Sequence, residues 1–199
     1  MISVIVPYVR DRGYLGNCLA SIRRQTFKDY ELLLCQSDGS LPVNFNNGLK
    51  RAKGEFVKMV QDDDWLPDDS LEILVNNIGD APWIVGDVWQ EPEHYIHSTP
   101  YLDFRSQVEK YDMHMGSTMY RTEVLREIGG MDETLETGEE YDMHLKLLSF
   151  GYNPVQIRKP VYHYRMWGGG KSRIYRRTKT EWRKEVLRKI KERYTNELD

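Results

Sequence analysis

The stretch from Glu55 to Pro67 reads EFVKMVQDDDWLP. A short and mostly apolar segment, typical of a buried strand, runs directly into three consecutive carboxylates at Asp62, Asp63 and Asp64. Three adjacent carboxylates repel one another, and a divalent cation is the simplest way to offset that repulsion. Because the ligands would all be oxygens, the stretch predicts a Mg²⁺ or Mn²⁺ site at the end of a strand.

The same order of strand and helix occurs on both sides of this stretch. Strands are predicted over residues 2–6, 31–35 and 55–60, and helices over residues 14–22, 46–53 and 68–78. Strands that alternate with helices predict an α/β fold with a mostly parallel sheet. Ligands of such sheets bind beyond the carboxyl ends of the strands. We therefore expect the polar turn at residues 37–40 to lie near the three carboxylates.

The second half of the chain has a mixed pattern. Strands are predicted over residues 83–89, 94–98 and 155–164, and helices over residues 101–111, 122–128, 139–150 and 178–196. Three glycines at residues 168–170 precede the last helix, which is rich in Lys and Arg. The sequence thus predicts one α/β unit with a basic helix at its end.

Composition excludes several classes of protein. The 199 residues carry 28 Lys and Arg against 31 Asp and Glu, so no overall positive field attracts nucleic acid. No apolar run approaches the roughly 20 residues of a membrane helix. The N-terminus has no basic leader, and Cys18 and Cys35 form no CxxC pair. Reduced cysteines and a cytoplasmic location are expected.

Motifs along the chain resemble those of family 2 glycosyltransferases, which have the GT-A fold. The first block is ISVIVP at residues 2–7 with YLGNCLASIRRQTF at residues 14–27. The other blocks, in chain order, are DGS at 38–40, NNG at 46–48, AKGEF at 52–56, DDWLP at 63–67, IGGMDE at 128–133 and EEYD at 139–142. The resemblance covers residues 2–173. It implies a Rossmann-like, mostly parallel sheet flanked by helices, with a smaller mixed region on the acceptor side.

The resemblance also implies an activity. Such an enzyme moves a sugar from a nucleoside diphosphate sugar to an acceptor hydroxyl, here expected on a glycan, with inversion at the anomeric carbon and a divalent metal under the diphosphate. Residues 1–90 would bind the nucleotide sugar and residues 91–175 the acceptor, which makes residues 1–175 the transferase domain. Residues 176–199 would form a separate basic C-terminal helix.

The three carboxylates take the metal role in this interpretation. Asp64 would hold the Mn²⁺ or Mg²⁺ ion, with Asp62 binding it directly or through water, and the ion would act as a Lewis acid on the leaving diphosphate. Asp63 would face the ribose or support the metal. His163 is a candidate third ligand if its strand turns it inward.

Other residues are assigned to the nucleotide by the same resemblance. Asp38 can accept a hydrogen bond from a pyrimidine N–H, which favours uridine, while Pro7 and Tyr8 would line the base. The family's Arg before NNG is Phe45 here, so phosphate contacts must come from elsewhere. Arg10 and the neighbouring Arg12 are the candidates.

Inversion needs a base on the face opposite the leaving group. Glu140 stands at the family's base position, where Asp is usual, and Glu139 is the lesser candidate. Residues 139 and 140 lie about 100° apart on a helix, so both cannot face the cleft squarely. Asp142, in the same segment, is a further candidate on the acceptor side.

The glycine run at residues 168–170 is interpreted as the hinge of a lid. Arg165 and Lys171 flank it and would reach the diphosphate when the lid closes, excluding water from the donor. Trp167 stands where the family's closing segment has His.

Several alternatives stay open. Departures at Gln61, Phe45 and Trp167 leave room for a sugar-nucleotide binding module without turnover. A sugar nucleotidyltransferase would use a similar sheet and metal, although no glycine-rich basic loop follows the first strand. The basic C-terminal helix could contact an anionic membrane or pack on its own domain. Whether the chain is a fragment of a multidomain enzyme is not settled by the sequence.

Overall fold

The computed structural model describes residues 1–100, 102–110 and 113–195. Within these residues there are seven β-strands and eight α-helices. The strands are β1 (Ile2–Tyr8), β2 (Tyr30–Gln36), β3 (Phe56–Met59), β4 (Trp83–Glu91), β5 (Tyr95–His97), β6 (Thr118–Arg121) and β7 (Val155–Arg165). The helices are α1 (Leu15–Arg24), α2 (Leu41–Arg51), α3 (Ser70–Ile78), α4 (Phe104–Glu109), α5 (Thr122–Glu127), α6 (Glu139–Ser149), α7 (Lys171–Thr178) and α8 (Thr180–Thr195).

The strands form one mixed sheet in the order β2-β1-β3-β6-β4-β5, with β7 paired to β4. Strands β2, β1 and β3 are parallel, as the alternation of strands and helices predicted, and β7 is parallel to β4. The short strand β6 was not predicted; it lies antiparallel between β3 and β4. The predicted α/β class with a mostly parallel sheet is confirmed.

Side chains of β1 alternate between two apolar layers, as the two-residue period of a strand requires. Val4 and Val6 pack with α1 and α3 on one face of the sheet. Ile5 packs with α2, α5 and α6 on the other face. Both cysteines are buried and free within these layers, as expected for reduced core residues. Helices therefore cover both faces and leave the strand ends for a binding site.

Helix α8 is an integral part of this domain. Ile190 and Tyr194 are buried in an apolar cluster with residues of α4 and α6. Arg193 on the same helix pairs with Asp132 and Asp142 at 2.9 Å each. Ile190 and Tyr194 of the apolar face that the sequence offered to a membrane are thus packed on the domain itself, whereas Trp182 is exposed. No helix among the described residues has the length and apolar character needed to cross a membrane.

Most element boundaries lie within about two residues of the sequence predictions, and three differences affect the region of the site. Helix α2 begins five residues early at Leu41, because Ser40 precedes it in an extended conformation and Pro42 suits a first helical turn. Helix α7 covers the end of the predicted lid and passes through the expected domain boundary at residue 175. The helix predicted over residues 101–111 corresponds to the shorter helix α4. Residues 101, 111 and 112 are outside the described residues.

Candidate active site

A cleft of about 1040 Å³ opens at the carboxyl ends of β1 and β3. Pro7 and Tyr8 at the end of β1, and Asp62 and Asp63 after β3, form its donor side, named for the role that the sequence predicts. The end of α4, the loop and first turn of α6 at residues 136–141, and helices α7 and α8 form another part of the wall, the acceptor side. The cavity is large enough for a nucleotide sugar, since ligand sites occupy about 300–1,000 Å³.

The three consecutive carboxylates do not share one environment. Residues 62 and 63 form a tight turn, which the Asp64 N–H closes by donating to the Gln61 carbonyl at 3.1 Å. Asp62 and Asp63, the carboxylate pair from here on, line the cleft. Asp64 is 1% exposed and does not line the cleft.

Internal donors hold both oxygens of Asp64. Oδ2 accepts a hydrogen bond from the Tyr162 hydroxyl at 2.8 Å, and Oδ1 accepts one from the Arg165 N–H at 2.7 Å. Burial raises the pKa of this carboxyl well above its ordinary range. The residue that the sequence assigned first to the metal therefore ties the carboxylate turn to β7, behind the cleft wall.

A guanidinium group lies between the members of the carboxylate pair. Arg12 Nη2 is 2.8 Å from Asp62 Oδ1 and 3.3 Å from Asp63 Oδ2. Burial raises the pKa of Asp62, and the Arg12 charge opposes that rise. The Arg12 guanidinium also lies over the Trp167 ring, 5.5 Å from its centroid. The pair is thus already built to hold a positive charge.

Trp167 and Arg165 support the carboxylate pair from β7 and the segment after it. The Trp167 indole N–H donates to Asp63 Oδ2 at 2.9 Å. A side chain at residue 169 would lie 2.2 Å from this ring, so the second glycine of the run makes room for it. The Arg165 guanidinium is stacked between Tyr14 and Trp65 and donates to the Asp63 carbonyl. Both side chains are held in place in this structure, and closure of the glycine run as a lid stays a prediction.

The carboxylate pair fits a divalent cation. Among the described residues no three carboxylate, thiol or imidazole groups converge on one point. Mg²⁺ and similar ions, however, are commonly held by one or two carboxylates plus the phosphates of the substrate. Two cleft-facing carboxylates around one positive charge match that donor set, and His163 is not needed for it.

His163 lies outside the cleft wall. Its ring stacks on Trp65 at 4.9 Å between centroids, and its Nδ1 is 3.0 Å from Glu91 Oε1. This geometry makes His163 a packed, paired residue, and its role as a third metal ligand stays a prediction. The Lys171 side chain, predicted to flank a lid, lies outside the described side chains.

Glu140 lies in the cleft at the start of α6. Its Oε1 accepts a hydrogen bond from the Gln61 side-chain amide at 3.0 Å, and its Oε2 accepts one from the Met115 N–H at 3.4 Å. Glu139 also lines the cavity but is 4% exposed. Asp142, the third acidic candidate, is outside the wall and paired with Arg193. Among these three acidic residues, Glu140 is therefore the one that lines the cleft with both carboxylate oxygens fixed by hydrogen bonds.

A glycine fixes the entry to α6. Gly138 adopts a left-handed conformation with φ +79° directly before Glu139. A Cβ atom here would lie 2.7 Å from Ile190 of α8. The position of α6 and the docking of α8 thus depend on each other at this residue.

The nucleotide side of the cleft includes some of the predicted residues. Pro7, Tyr8 and Arg10 line it, and the Asn44 amide holds the Tyr8 carbonyl at 3.2 Å. Asp38 is exposed in the loop after β2 and does not belong to the wall. Its role toward uridine stays a prediction.

Sequence reasoning missed several residues of this region. Ser40 lines the cleft with a buried Oγ that has no hydrogen-bond partner in the described structure. Lys58 on β3 is fully buried, donates to the Gly116 carbonyl and lies 5.0 Å from the Tyr162 ring centroid. Burial lowers the pKa of Lys58 to about 7. The one available signal was a lysine inside an otherwise apolar strand.

Comparison with known proteins gives sequence relatives that include named glycosyltransferases. No family model matches the chain. The chain is 23% identical to "Glycosyltransferase GlyA" of Streptococcus pneumoniae serotype 4, in an alignment that covers 98% of this chain and 34% of that protein. The chain thus spans about a third of the length of this relative.

Solved structures show the same fold. Staphylococcus aureus TarS, residues 1–349 in complex with UDP-GlcNAc, superposes with a TM-score of 0.70 at 19% identity, over 85% of this chain and 59% of that one. The mannosyltransferase PcManGT from Pyrobaculum calidifontis, in complex with GDP-Man and Mn²⁺, gives a TM-score of 0.62 at 17% identity, over 85% and 58%. Both have the GT-A fold that the motifs implied. The chain is thus similar in sequence to a glycosyltransferase and shares the GT-A fold of the two solved structures.

Proposed function

We propose that this chain catalyses transfer of a sugar from a nucleoside diphosphate sugar to an acceptor hydroxyl, with inversion. The observation that carries the proposal is the cleft itself, whose wall contains both the carboxylate pair and Glu140. An inverting displacement needs both functions at one site, a group that stabilises the leaving diphosphate and a base that takes the proton of the acceptor hydroxyl.

The donor side suits the charge that develops on the leaving group. A divalent cation held by Asp62 and Asp63 would neutralise negative charge on the departing diphosphate. Trp167 orients Asp63 for this task through its indole N–H. Arg10 and Arg12 line the same side and can bind phosphate oxygens. Arg12 now lies between the two carboxylates, so we expect it to move when donor and cation bind.

On the acceptor side, Glu140 takes the proton from the acceptor hydroxyl. The hydroxyl oxygen then forms the new bond to the anomeric carbon while the bond from that carbon to the diphosphate oxygen breaks. The Gln61 amide and the Met115 N–H fix both oxygens of Glu140, which keeps the carboxylate aimed during the displacement. A nucleoside diphosphate leaves, and the Glu140 proton passes to solvent.

The proposed donor is a sugar linked to a uridine nucleotide. TarS, with the higher TM-score of the two structures above, was solved with UDP-GlcNAc, whereas PcManGT was solved with GDP-Man. In this chain the unpartnered Ser40 Oγ and the Tyr8 side chain supply polar and aromatic contacts at the nucleotide end.

Calorimetric titration tests the proposal. UDP, GDP and CDP would each be titrated into the protein with Mn²⁺, and again with a chelator. We expect UDP to bind best and only with the metal, and expect Asp62→Asn with Asp63→Asn to abolish that binding. Asp68→Asn with Asp69→Asn, which changes two acidic residues outside the cleft wall, is the matched control.

Donor binding alone would fit a module without turnover. Release of UDP from UDP-GlcNAc in the presence of a mixture of glycan acceptors separates the two functions. If UDP binds with Mn²⁺ but no acceptor ever increases its release, the catalytic proposal is wrong and the binding module takes its place.

A further inference from the structure

Gln61 contacts the proposed base directly. It follows β3 and lines the cleft, and its side-chain amide donates to Glu140 Oε1 at 3.0 Å. Both residues are positions at which the chain departs from the motifs that it resembles. The contact between them is therefore a feature of this chain and does not follow from the shared motifs.

The backbone of Gln61 is fixed on both sides. Its N–H donates to the Tyr162 hydroxyl at 3.1 Å, and its carbonyl accepts the Asp64 N–H that closes the turn of the carboxylate pair. The same hydroxyl donates to Asp64 Oδ2. The Gln61 side chain therefore starts from a rigid point, and its amide reaches Glu140 from the turn that presents the carboxylate pair.

Strand β3 also supports the other carboxylate oxygen of Glu140. Lys58 donates to the Gly116 carbonyl, and the N–H of the neighbouring Met115 donates to Glu140 Oε2 at 3.4 Å. Lys58 and Gln61 are three residues apart in the sequence, just before the carboxylate pair. One short segment of the chain therefore carries the carboxylate pair and helps to hold the base.

Negative charge is concentrated around Glu140. Burial raises the pKa of both Asp64 and Tyr120, and the charge of Glu140 adds to each rise. Glu139 is the preceding residue of α6. Two carboxylates about 3 Å apart cannot both ionise and share one proton. A carboxylate in place of Gln61 would lie at such a distance from the base, whereas the amide holds the base without adding charge.

We propose that Gln61 is a positioning residue of the transfer reaction, which aims Glu140 from the turn of the carboxylate pair and, because it is neutral, leaves the base ionised. The inference rests on the proposed function and deepens it. A base that already carries a proton cannot take one from the acceptor hydroxyl. A misplacement of about 1 Å can lower the rate about 10²-fold, so direction and charge both matter.

A double-mutant cycle tests the positioning. Gln61→Met removes the amide and preserves the length of the side chain. Release of UDP from UDP-GlcNAc, measured with a mixture of glycan acceptors, should fall about 10–100-fold. UDP affinity with Mn²⁺ should not change, since the backbone of Gln61 holds the turn. In the Glu140→Gln background the same substitution should have no further effect, because the amide acts through Glu140.

Carbon-13 NMR of the Glu140 carboxyl group tests the charge without any turnover, with the signal assigned by its absence in Glu140→Gln. Gln61→Glu should raise the midpoint of this titration by about 1 pH unit or more, because the two carboxylates then share a proton. The matched controls are Gln90→Glu and Gln90→Met, at a half-buried glutamine outside the cleft wall. Both controls should behave as the wild type, and thermal unfolding checks that each variant is folded.

Three results would overturn the proposal. The first is an equally large fall in UDP release when Gln61→Met is made in the Glu140→Gln background. The second is loss of UDP binding in a folded Gln61→Met, which would make the side chain part of the donor site. The third is the same Glu140 midpoint in Gln61→Glu and Gln90→Glu. A midpoint that rises as expected in a protein whose wild type releases no UDP contradicts the proposed function alone.

Discussion

The donor side and the acceptor side of the cleft are built in different ways. Donor residues follow directly from strand ends in the first 63 residues, where Tyr8 ends β1 and the carboxylate pair follows β3. The acceptor side joins α4, the start of α6 and α8, which are separated by long stretches of chain. The donor side is therefore built on adjacent strand ends, with support from β7 and Trp167, whereas the acceptor side is assembled from helices that are far apart in the sequence.

Because of this difference, mutations on the two sides of the cleft should affect different measurements. The largest effect is expected at Glu140, the proposed base. Glu140→Gln keeps the shape of the side chain and removes its ability to take a proton. Turnover should fall by about 10²–10⁴-fold while UDP affinity with Mn²⁺ stays unchanged. Glu136→Gln, a cleft-lining residue of the preceding loop, is the control. Equal loss in both variants, or loss of UDP binding in Glu140→Gln, would contradict the assignment.

A smaller effect is expected on the donor side. Trp167→Phe removes the indole N–H that orients Asp63 and preserves an aromatic ring. Mn²⁺ affinity, measured by electron paramagnetic resonance with UDP present, should drop about 10–100-fold, as for other residues that orient metal ligands. Trp182→Phe, on α8, should leave it unchanged. Equal Mn²⁺ affinity in Trp167→Phe and the wild type would show that Asp63 does not hold the metal.

The dependence of the acceptor side on packing can be measured at a glycine. Gly138→Ala places a methyl group against Ile190, whereas Gly151→Ala has the same positive φ and open space around it. Both variants bear the strain of a left-handed backbone. Gly138→Ala should lower the free energy of unfolding by about 1–2 kcal/mol more, because it also overpacks the α6–α8 contact. Equal losses of unfolding free energy in the two variants, measured by urea unfolding, would mean that α6 and α8 shift to make room for the added methyl group.

Behind the donor side, Lys58 gives stability a pH dependence. Burial lowers its pKa from 10.5 to about 7 in the folded chain, so the unfolded chain alone keeps the proton between these values. Stability should therefore rise with pH above 7, by up to about 1.4 kcal/mol per pH unit. The comparison with Lys58→Met, from pH 7 to 9, isolates this contribution. Parallel pH profiles in the two proteins would show that Lys58 titrates normally.

The sequence predicted most of the sheet, but not the short strand β6, and it predicted a site at the strand ends, where the structure has a cleft. The strand ends at Tyr8 and Asp62, and the base position at Glu140, follow from periodicity and from motifs that keep their order. These features depend on local chain direction, which a parallel sheet converts into a shared edge.

The assignment within the carboxylate run could not be made from the sequence. Which of three consecutive side chains faces the cleft is decided by the turn at residues 62 and 63, and that turn is held by Tyr162 and Arg165 from the far end of the chain. The contribution of α8 to the cleft wall was missed for a related reason. The orientation of this helix depends on how it docks, and a helical pattern alone does not say which side meets the domain.

An anomalous difference map from crystals grown with UDP and Mn²⁺ tests the central claim most directly. The account predicts a manganese peak between the carboxylates of Asp62 and Asp63, with Arg12 displaced from its present position and Asp64 still bound to Tyr162. A peak at Asp64, or UDP bound in the cleft with no manganese at the carboxylate pair, would contradict it.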